Sequence, residues 1–252
     1  MSLEQQVANL VEASNNLTKS VDGKIQEIDA KIDEATQEIE DKFLELSQKS
    51  YWVDSLLGRD SNDGLSSAKP LKTLGKAYEL CRTDSASLNK ISIARDGEYT
   101  LPSDVTASVL TNKIIVEATG GANRTYPDDL GVTVKISGNY VSCNTNHEFL
   151  YCNIKVESST YGFLCGDGIK VRTYKCKVIK ASSVNNFLAN YHNPAGLNYA
   201  TFQLTTFDGA GADFYPVGKL QGTTFWKQVD VTLQNGAKMN LSYTQLADLQ
   251  VY

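Results

Sequence analysis

Six carboxyl side chains in the second half of the chain are the residues best suited to acid–base chemistry. They are Glu148, Glu157, Asp167, Asp208, Asp213 and Asp230. Two carboxyl groups about 5 to 10 Å apart can hydrolyse a glycosidic bond, one as an acid and the other as a nucleophile or base. None of the six stands in a catalytic motif. The stretch from Asp208 to Asp213 (DGAGAD) has the composition of a turn and lacks the acidic spacing of a calcium loop.

Histidines and cysteines offer little for nucleophilic or metal chemistry. Neither His147 nor His192 accompanies a GxSxG serine motif, and no HxxxH-like or CxxC spacing predicts a transition-metal site. The sequence also lacks a P-loop and a GxGxxG motif. We therefore predict no cofactor, no metal and no catalytic residue, and favour a protein that is not an enzyme. The cysteines are predicted to be small core residues: Cys81, Cys143, Cys152, Cys165 and Cys176.

Aromatic and amide side chains are the better candidates, and the function they suit is binding. The chain has 13 Tyr and 2 Trp, and aromatic ring faces with amides beside them suit sugar rings. The densest such stretch runs from Asn190 to Tyr199. The same residues could instead stack in the interior or lie in a subunit contact, because alternate residues of a strand point inward. The predicted receptor-binding residues are Tyr191, His192, Asn193, Tyr199, Phe214, Tyr215 and Trp226.

The elements that must position these residues begin with a long helix. The first 49 residues contain no Pro and a single Gly, and apolar or small residues recur in twelve steps over 43 residues, about 3.58 residues per step. Such a narrow apolar stripe cannot stabilise a single helix, which predicts a bundle of helices. Because the period lies between 3.5 and 3.6 residues, the bundle is predicted to be nearly straight. Ile25, Ile28 and Ile32 favour a coiled coil of three or more helices. The alternative is one amphipathic helix packed on its own domain. The predicted trimer contacts are Val7, Leu10, Leu17, Val21, Ile25, Ile28, Ile32, Ile39, Phe43 and Leu46.

Acidic and basic residues are unevenly distributed, and their balance argues against two classes of partner. Residues 1–50 contain 11 acidic and 5 basic side chains, a net charge of −6, whereas residues 51–252 contain 18 and 19. A nearly neutral body without a basic cluster argues against nucleic acid. No apolar run approaches the about 20 residues that cross a bilayer, and the N-terminus lacks a secretory signal. We predict no nucleic-acid partner, no membrane insertion and synthesis in the cytoplasm.

Short predicted strands replace the helical period from Lys90 onward. They fall at residues 91–93, 114–116, 132–134, 154–156, 171–173 and 229–231. These strands alone allow either a sandwich or a solenoid.

A repeat of 24 residues favours the solenoid. Shifting the chain by this distance places residues 151–164 on 175–188 and Cys152 on Cys176. A period of twenty-odd residues is about one coil of a parallel β-helix, in which equivalent inward side chains stack. Cys152 and Cys176 are therefore expected to lie above one another in the interior. The further matches are Ile154 with Val178, Phe163-Leu164 with Phe187-Leu188 and, after another 24 residues, Ala200 and Phe202 with Cys176 and Val178.

Residues 51–82 connect the helix to the strands. They contain a predicted strand at 51–53, a loop with the turn sequence Asn62-Asp63-Gly64, and a helix whose first turn suits Pro70. The predicted apolar face of this helix is formed by Leu71, Leu74, Ala77 and Tyr78. The alternative is an ordinary α/β loop and helix.

This order of strand, Asn-Asp-Gly-Leu-Ser loop, proline and short helix containing Lys76-Ala77 resembles the opening of right-handed parallel β-helix domains, most closely those of bacteriophage tailspikes and tail fibres. The resemblance covers about thirty residues and is only architectural elsewhere. It implies that the short helix plugs the open end of the β-helix, where bare strand edges would invite aggregation. It also supports the trimer and implies adhesion to a bacterial surface, through a glycan receptor.

The predicted fold is mainly β: a trimeric helical coiled coil at 1–50, a capping joint at 51–82, and a short right-handed parallel β-helix at 83–252 that ends in a closing segment. The resemblance implies a virion protein of a phage tail, made in the host cytoplasm. Its implied partners are two further copies of itself, other phage tail proteins, and a bacterial surface polysaccharide or other receptor.

Two alternative functions stay open. The first is a polysaccharide depolymerase, which is disfavoured because the roughly seven predicted coils are few for such enzymes. The second is a purely structural tail connector. Since the helix begins near residue 3, either the coil itself attaches to the particle or the chain is part of a longer fibre.

Overall fold

A computed structural model describes residues 2–83, 87–101, 113–137, 146–157, 163–164, 170–181, 186–189, 197–217 and 223–238. The chain divides into two compact units, Met1–Leu46 and Ser47–Tyr252. The described residues are mainly β, with parallel strands in a curled sheet and one long N-terminal helix, which confirms the predicted class. Among the described helices, none combines the length and the apolarity that crossing a bilayer requires.

The long helix, α1 (Leu3–Ser47), accounts for the first unit, as the periodicity predicts. Lys24 and Lys31 lie one turn either side of Glu27 and bind its carboxylate at 2.6 and 2.9 Å. Such pairs add only slightly to the stability of an exposed helix. The apolar stripe is exposed, and the side chain of Leu46 lies outside the described part. The other predicted contacts are between 47% and 71% exposed: Val7, Leu10, Leu17, Val21, Ile25, Ile28, Ile32, Ile39 and Phe43.

The joint contains β1 (Gln48–Val53) and α2 (Leu74–Thr83). The predicted helix start at Pro70 is wrong, because Leu71 instead forms a parallel bridge with Val53. The Asp60 carboxylate accepts hydrogen bonds from the N–H groups of Lys72 and Thr73, at 2.9 Å each, and fixes this approach. The Thr73 hydroxyl then accepts a hydrogen bond from the N–H of Lys76 and caps α2.

The predicted apolar face of α2 is confirmed. Leu74, Ala77 and Tyr78 are buried, with Cys81 one turn further on, and the helix packs on β1 and on β3 (Gly97–Leu101). Leu71 is buried as well, although it precedes the helix.

The remaining strands form three rows in which every described pair is parallel. The strands are β2 (Leu88–Ile93), β4 (Lys113–Ala118), β5 (Val132–Ile136), β6 (Asn146–Leu150), β7 (Asn153–Val156), β8 (Phe163–Leu164), β9 (Lys170–Lys180), β10 (Asn186–Ala189), β11 (Leu197–Asp208), β12 (Tyr215–Val217) and β13 (Thr223–Gln234). The six predicted strands all lie within them. Parallel pairing throughout the described strands is incompatible with a sandwich of antiparallel sheets.

The first row runs β1, β2, β4, β6 and then the first halves of β9, β11 and β13. The second row runs β3, β5, β7 and then the second halves of β9, β11 and β13. Because β9 pairs with both β6 and β7, the two rows form one sheet that folds over at this strand. The third row is a separate sheet of β8, β10 and β12.

From β6 onward, the corner between the first and second rows is made by one residue with a left-handed backbone in each circuit. The following residues Cys176, Thr205 and Val231 pair in register, so these corners repeat from strand to strand. A positive φ costs an L-residue about 1 kcal/mol, so the fold imposes these bends against local preference. The corner residues and their φ values are Tyr151 (60°), Lys175 (49°), Leu204 (46°) and Asp230 (53°).

The 24-residue repeat is confirmed for the second row, where Ile154 pairs with Val178. It is wrong by one residue in the third row, where Phe163 pairs with Leu188. It is also wrong for the next circuit, because Val178 pairs with Phe207, 29 residues further along the chain. The predicted matches of Ala200 and Phe202 are therefore replaced by pairs with Val171 and Thr173.

The core of the second unit is built from inward residues stacked in register. Ile91, Val116 and Phe149 form one such stack in the first row, and all three are completely buried. Four rings continue the core towards the C-terminus: Phe187, Phe202, Phe207 and Phe214. Cys81, Cys152 and Cys176 are completely buried, as expected for core residues. Cys143, Cys165 and the predicted closing segment after residue 238 lie outside the described residues.

Candidate functional site

The outward face of the first row contains an open depression where β6, β9 and β11 lie side by side. Its volume is about 340 Å³. The residues that line it are Asn146, His147, Glu148, Lys170, Val171, Arg172, Tyr199 and Thr201. We call this depression the first-row site.

Strand alternation explains which side chains face the first-row site. His147, Val171 and Ala200 are in register and buried, so the residues on either side of each point outward. Lys170 lies beside Tyr199 across β9 and β11. One step further along, Arg172 lies between Glu148 and Thr201. The site is therefore a small grid of cross-strand neighbours held by the backbone of three strands.

The charges of the first-row site are arranged around Glu148, whose side chain is 14% exposed. Lys113 from β4 binds its carboxylate at 2.9 Å. The Arg172 guanidinium is 3.6 Å from the same oxygen, beyond hydrogen-bonding distance, and the arginine side chain is 44% exposed. Lys170 is exposed. Lys113 and Arg172 thus lie within 4 Å of one carboxylate, and together with Lys170 these four side chains have a net charge of +2.

Tyr199 supplies the aromatic surface of the first-row site and is 44% exposed. An exposed tyrosine beside amide and hydroxyl groups is suited to a sugar ring, with apolar contact on the ring face and hydrogen bonds at the rim. Asn146 and Thr201 are half-buried and provide such polar groups.

The structure places the other predicted receptor-binding residues differently. Phe214 is a correction: it is completely buried and packs against Phe207, so it cannot contact a receptor. The reason is that Phe214 bridges to Ala237 and faces the core. Tyr215, the next residue, is half-buried and its hydroxyl lies 3.5 Å from the Asp213 carboxylate. Trp226 is opposite Ala200 in register, but its side chain lies outside the described part, as do Tyr191, His192 and Asn193.

The predicted carboxyl candidates are engaged by basic or hydrogen-bonding partners. Lys155 and Lys135 bind Glu157 at 2.9 and 3.3 Å, and the hydrogen bond from Lys155 chiefly lowers the pKa of Glu157. Lys238 likewise lowers the pKa of Asp213.

Asp208 is the most enclosed of these carboxyl groups. Burial acts to raise the pKa of Asp208, but hydrogen bonds from the N–H of Ala210 and the side-chain amides of Asn235 and Gln234 outweigh burial and lower it. A glycosidase acid needs a raised pKa, so the shifts of Glu157, Asp208 and Asp213 all run the opposite way. Asp230 is a corner residue, and Asp167 lies outside the described part.

Within the described residues, no group of three or more His, Cys, Asp or Glu side chains could hold a metal ion. Cys152 and Cys176 adjoin in the interior, where the hydrogen bond between the two thiols and burial raise the pKa of Cys152. The Cys176 thiol is 3.2 Å from the carbonyl of Phe149. These cysteines are thus core groups, away from the first-row site.

Sequence reasoning identified Tyr199 and Glu148 but missed Lys170, Arg172, Asn146 and Thr201 as site residues. A signal for two of them was present. Extending the 24-residue shift upstream by a few residues places Glu148 on Arg172 and Asn146 on Lys170. A search for opposite charges at that distance would have found the first pair.

No family model, no curated protein and no solved structure matches this chain. The chemistry of the first-row site is therefore inferred from its own residues, an exposed tyrosine with amide, hydroxyl and charged groups around it.

Proposed function

We propose that the chain is a phage tail fibre or tailspike-like virion protein that attaches the virion to a bacterial surface glycan. In this proposal three copies of α1 form a coiled coil, the strands wind as a short right-handed parallel β-helix, and α2 closes one end of it. The protein is made in the host cytoplasm, and its partners are other tail proteins and the receptor. It acts by binding and is not an enzyme.

The observation that carries the proposal is the order of the parallel strands. In the described residues the chain passes repeatedly from the first row to the second, as β2 to β3 and β4 to β5, and from β6 onward it visits the first, second and third rows in that order, as β6, β7 and β8 illustrate. This is the connectivity of a solenoid whose inward residues stack between circuits. Together with the joint, this order of strands supports the proposed β-helix that the resemblance to tailspikes implies.

The trimer is supported by the exposed stripe of α1. Nine large apolar side chains of one helix face are each about half or more exposed in the single chain. Burying a Val, Leu or Ile side chain yields about 1.5–3 kcal/mol, so association with other copies has a large driving force. The presence of isoleucine at successive core positions favours more than two helices.

Two measurements test this function. Light scattering should give a mass close to three times the 27.6 kDa of one chain. The labelled protein should also bind intact cells of a susceptible bacterium, and purified surface polysaccharide from that bacterium should compete. A monomer in solution would contradict the trimer, and failure to bind any of a broad panel of bacteria would contradict adhesion.

The same experiment separates the two alternatives. Release of new reducing ends from the competing polysaccharide, abolished by changing Glu148, Glu157, Asp208 or Asp213 singly to the amide, would indicate a depolymerase. A stable trimer that binds no glycan and co-purifies with another tail protein would indicate a structural connector.

A further inference from the structure

We infer that the first-row site binds an acidic sugar, with Arg172 and Lys170 recognising the carboxylate of a hexuronate and Tyr199 contacting the ring. This inference rests on the proposed function and names the class of glycan that the protein binds.

Arg172 has hydrogen-bond donors that can bind the carboxylate of a ligand. Lys113 already lies at 2.9 Å from Glu148, so the carboxylate has a close partner without the guanidinium. At 3.6 Å the Arg172 guanidinium neutralises charge at a distance but donates no hydrogen bond to Glu148. Its planar set of donors matches a carboxylate in a bidentate arrangement. The side chain is therefore held near Glu148 and has donors to offer a ligand.

Lys170 and Tyr199 are direct cross-strand neighbours. A ring that lies on the exposed face of Tyr199 is within reach of the Lys170 ammonium, since neighbouring strands are about 4.8 Å apart. Arg172 is two residues along the same strand and points to the same side. A sugar ring on Tyr199 thus meets two cations along one edge.

The outward face of the second row has a different balance of charges. There Lys135 lies 3.3 Å from both Glu98 and Glu157. Lys155 lies 2.9 Å from Glu157 and 3.7 Å from Glu98. Two cations and two carboxylates cancel, and no net charge is left for a ligand. On a face of the same sheet, the lining residues Lys170, Arg172 and Glu148 of the first-row site have a net charge of +1, and Lys113 beside Glu148 raises it to +2. This positive charge selects an anion.

The test uses the whole protein and a panel of hexuronate oligosaccharides built from galacturonate, glucuronate and mannuronate. Each probe is paired with its carboxyl-reduced form, which keeps the ring and replaces the carboxylate by a hydroxymethyl group. Binding is measured by calorimetry at low and at physiological salt. We expect at least one acidic probe to bind, and its reduced form to bind about tenfold or more weakly, because charge-assisted bidentate hydrogen bonds are lost.

Variants locate the binding. Arg172→Gln should weaken the acidic probe about tenfold and leave the reduced probe nearly unchanged. Lys170→Gln should act in the same direction with a smaller change and a weaker salt dependence. Tyr199→Ala should weaken both probes. Lys155→Gln on the second row is the matched control and should change neither. Circular dichroism of each variant verifies that it folds.

The inference is overturned if no hexuronate binds, if acidic and reduced probes bind equally, or if Lys155→Gln matches Arg172→Gln. These failures are distinct from failure of the proposed function. Binding to bacteria that is indifferent to Arg172→Gln overturns the acidic-sugar site and leaves adhesion intact. Hexuronate binding by a protein that binds no bacterium supports the site and removes the adhesion proposal.

Discussion

The helix α1 and the strands of the second unit contain similar apolar residues, but these residues are exposed in α1 and buried in the strands. In α1, Ile25, Ile28 and Ile32 are 50–57% exposed. In the second unit, Ile91, Ile114 and Ile154 are completely buried against neighbouring strands of the same chain. The apolar stripe of α1 is thus left uncovered within one chain, whereas the inward residues of the strands are covered by their own chain.

The two regions therefore derive their stability from different sources. Burial within the second unit is intramolecular, so its unfolding free energy should not depend on protein concentration. A helix with a narrow apolar stripe gains its stability from partners, so its order should depend on concentration. The two should therefore respond separately to mutation.

The largest expected effect is on α1. Ile28→Asp places a charge in the centre of the proposed helical bundle, where burial of an ion costs several kcal/mol per copy. We expect the mass measured by light scattering to fall from about three chains to the 27.6 kDa of one, with loss of helical signal. The urea midpoint of the strands should stay unchanged.

Ala30→Asp is the matched control for Ile28→Asp. Residue 30 lies two positions from Ile28, about 200° around the helix and thus on the opposite face. It introduces the same charge into α1 without entering the stripe, and the trimer should persist. If both variants dissociate, charge alone and not the stripe controls association, and the contrast between the two units would lose its basis.

The second effect acts on the strands and spares the helix. Phe207 is completely buried, and its ring centroid is 5.1 Å from that of Phe202 and 6.0 Å from that of Phe187. Phe207→Ala should lower the unfolding free energy of the second unit by about 3–5 kcal/mol because it opens a cavity. Urea unfolding followed by near-ultraviolet dichroism measures this loss. Dissociation of the trimer at native concentrations would contradict independent stabilities.

The third effect concerns the loop of the joint. The N–H of Gly58 donates to the carbonyl of Asp54 at 2.9 Å, and a Cβ added at Gly58 would collide with the backbone carbonyl of Leu71. Gly58→Ala should therefore destabilise the second unit by about 2–3 kcal/mol through overpacking, as measured by the urea midpoint.

Gly75→Ala is the control for Gly58→Ala, because a Cβ at Gly75 meets nothing closer than the Thr73 hydroxyl at 4.0 Å. Gly75 lies in the first turn of α2, where alanine should be neutral or stabilising by up to about 1 kcal/mol. Equal destabilisation by both substitutions would mean that the loop approach is not what matters.

What could be predicted from the sequence follows the same division. The helix α1 was predictable because its signal is local and periodic. The strands were predictable from β-branched runs and alternation, and the repeat located Ile154 beside Val178. The repeat failed one circuit later because the spacing from Val178 to Phe207 is 29 residues, and a fixed shift cannot follow a change in the length of the chain between β9 and β11.

The candidate site was harder to predict because its members come from three strands. Tyr199 was identified by residue type. Arg172 and Lys170 can be recognised as site residues only once β9 is known to lie between β6 and β11. Phe214 was assigned to the wrong side because its orientation depends on a bridge to Ala237 and not on its neighbours in sequence. The left-handed corners at Tyr151 and Lys175 also have no local signal, since neither residue type favours a positive φ.

The smallest expected effect is a pH dependence in which the stability of the second unit and the association of α1 change in opposite directions. Asp54 is 5% exposed; the hydrogen bond from Arg95, at 3.0 Å, chiefly lowers its pKa to about 2, with further hydrogen bonds from the N–H groups of Leu56 and Leu57. The unfolded chain binds the proton first, so this contribution is complete above the ordinary value of 3.8 and is lost as the pH falls towards 2.

Asp54→Asn keeps the acceptor oxygen and removes the charge, so we expect a loss of about 1–2 kcal/mol at neutral pH that shrinks as the pH falls from about 4 to 2. Association of α1 should respond in the opposite sense, because the net charge of −6 on residues 1–50 is relieved as carboxylates become protonated. Urea unfolding of both proteins between pH 2 and 7, with the mass recorded at each pH, measures the two responses together. A wild-type protein and variant that differ by the same amount at pH 2 and pH 7 would show that the Asp54 charge does not stabilise the joint.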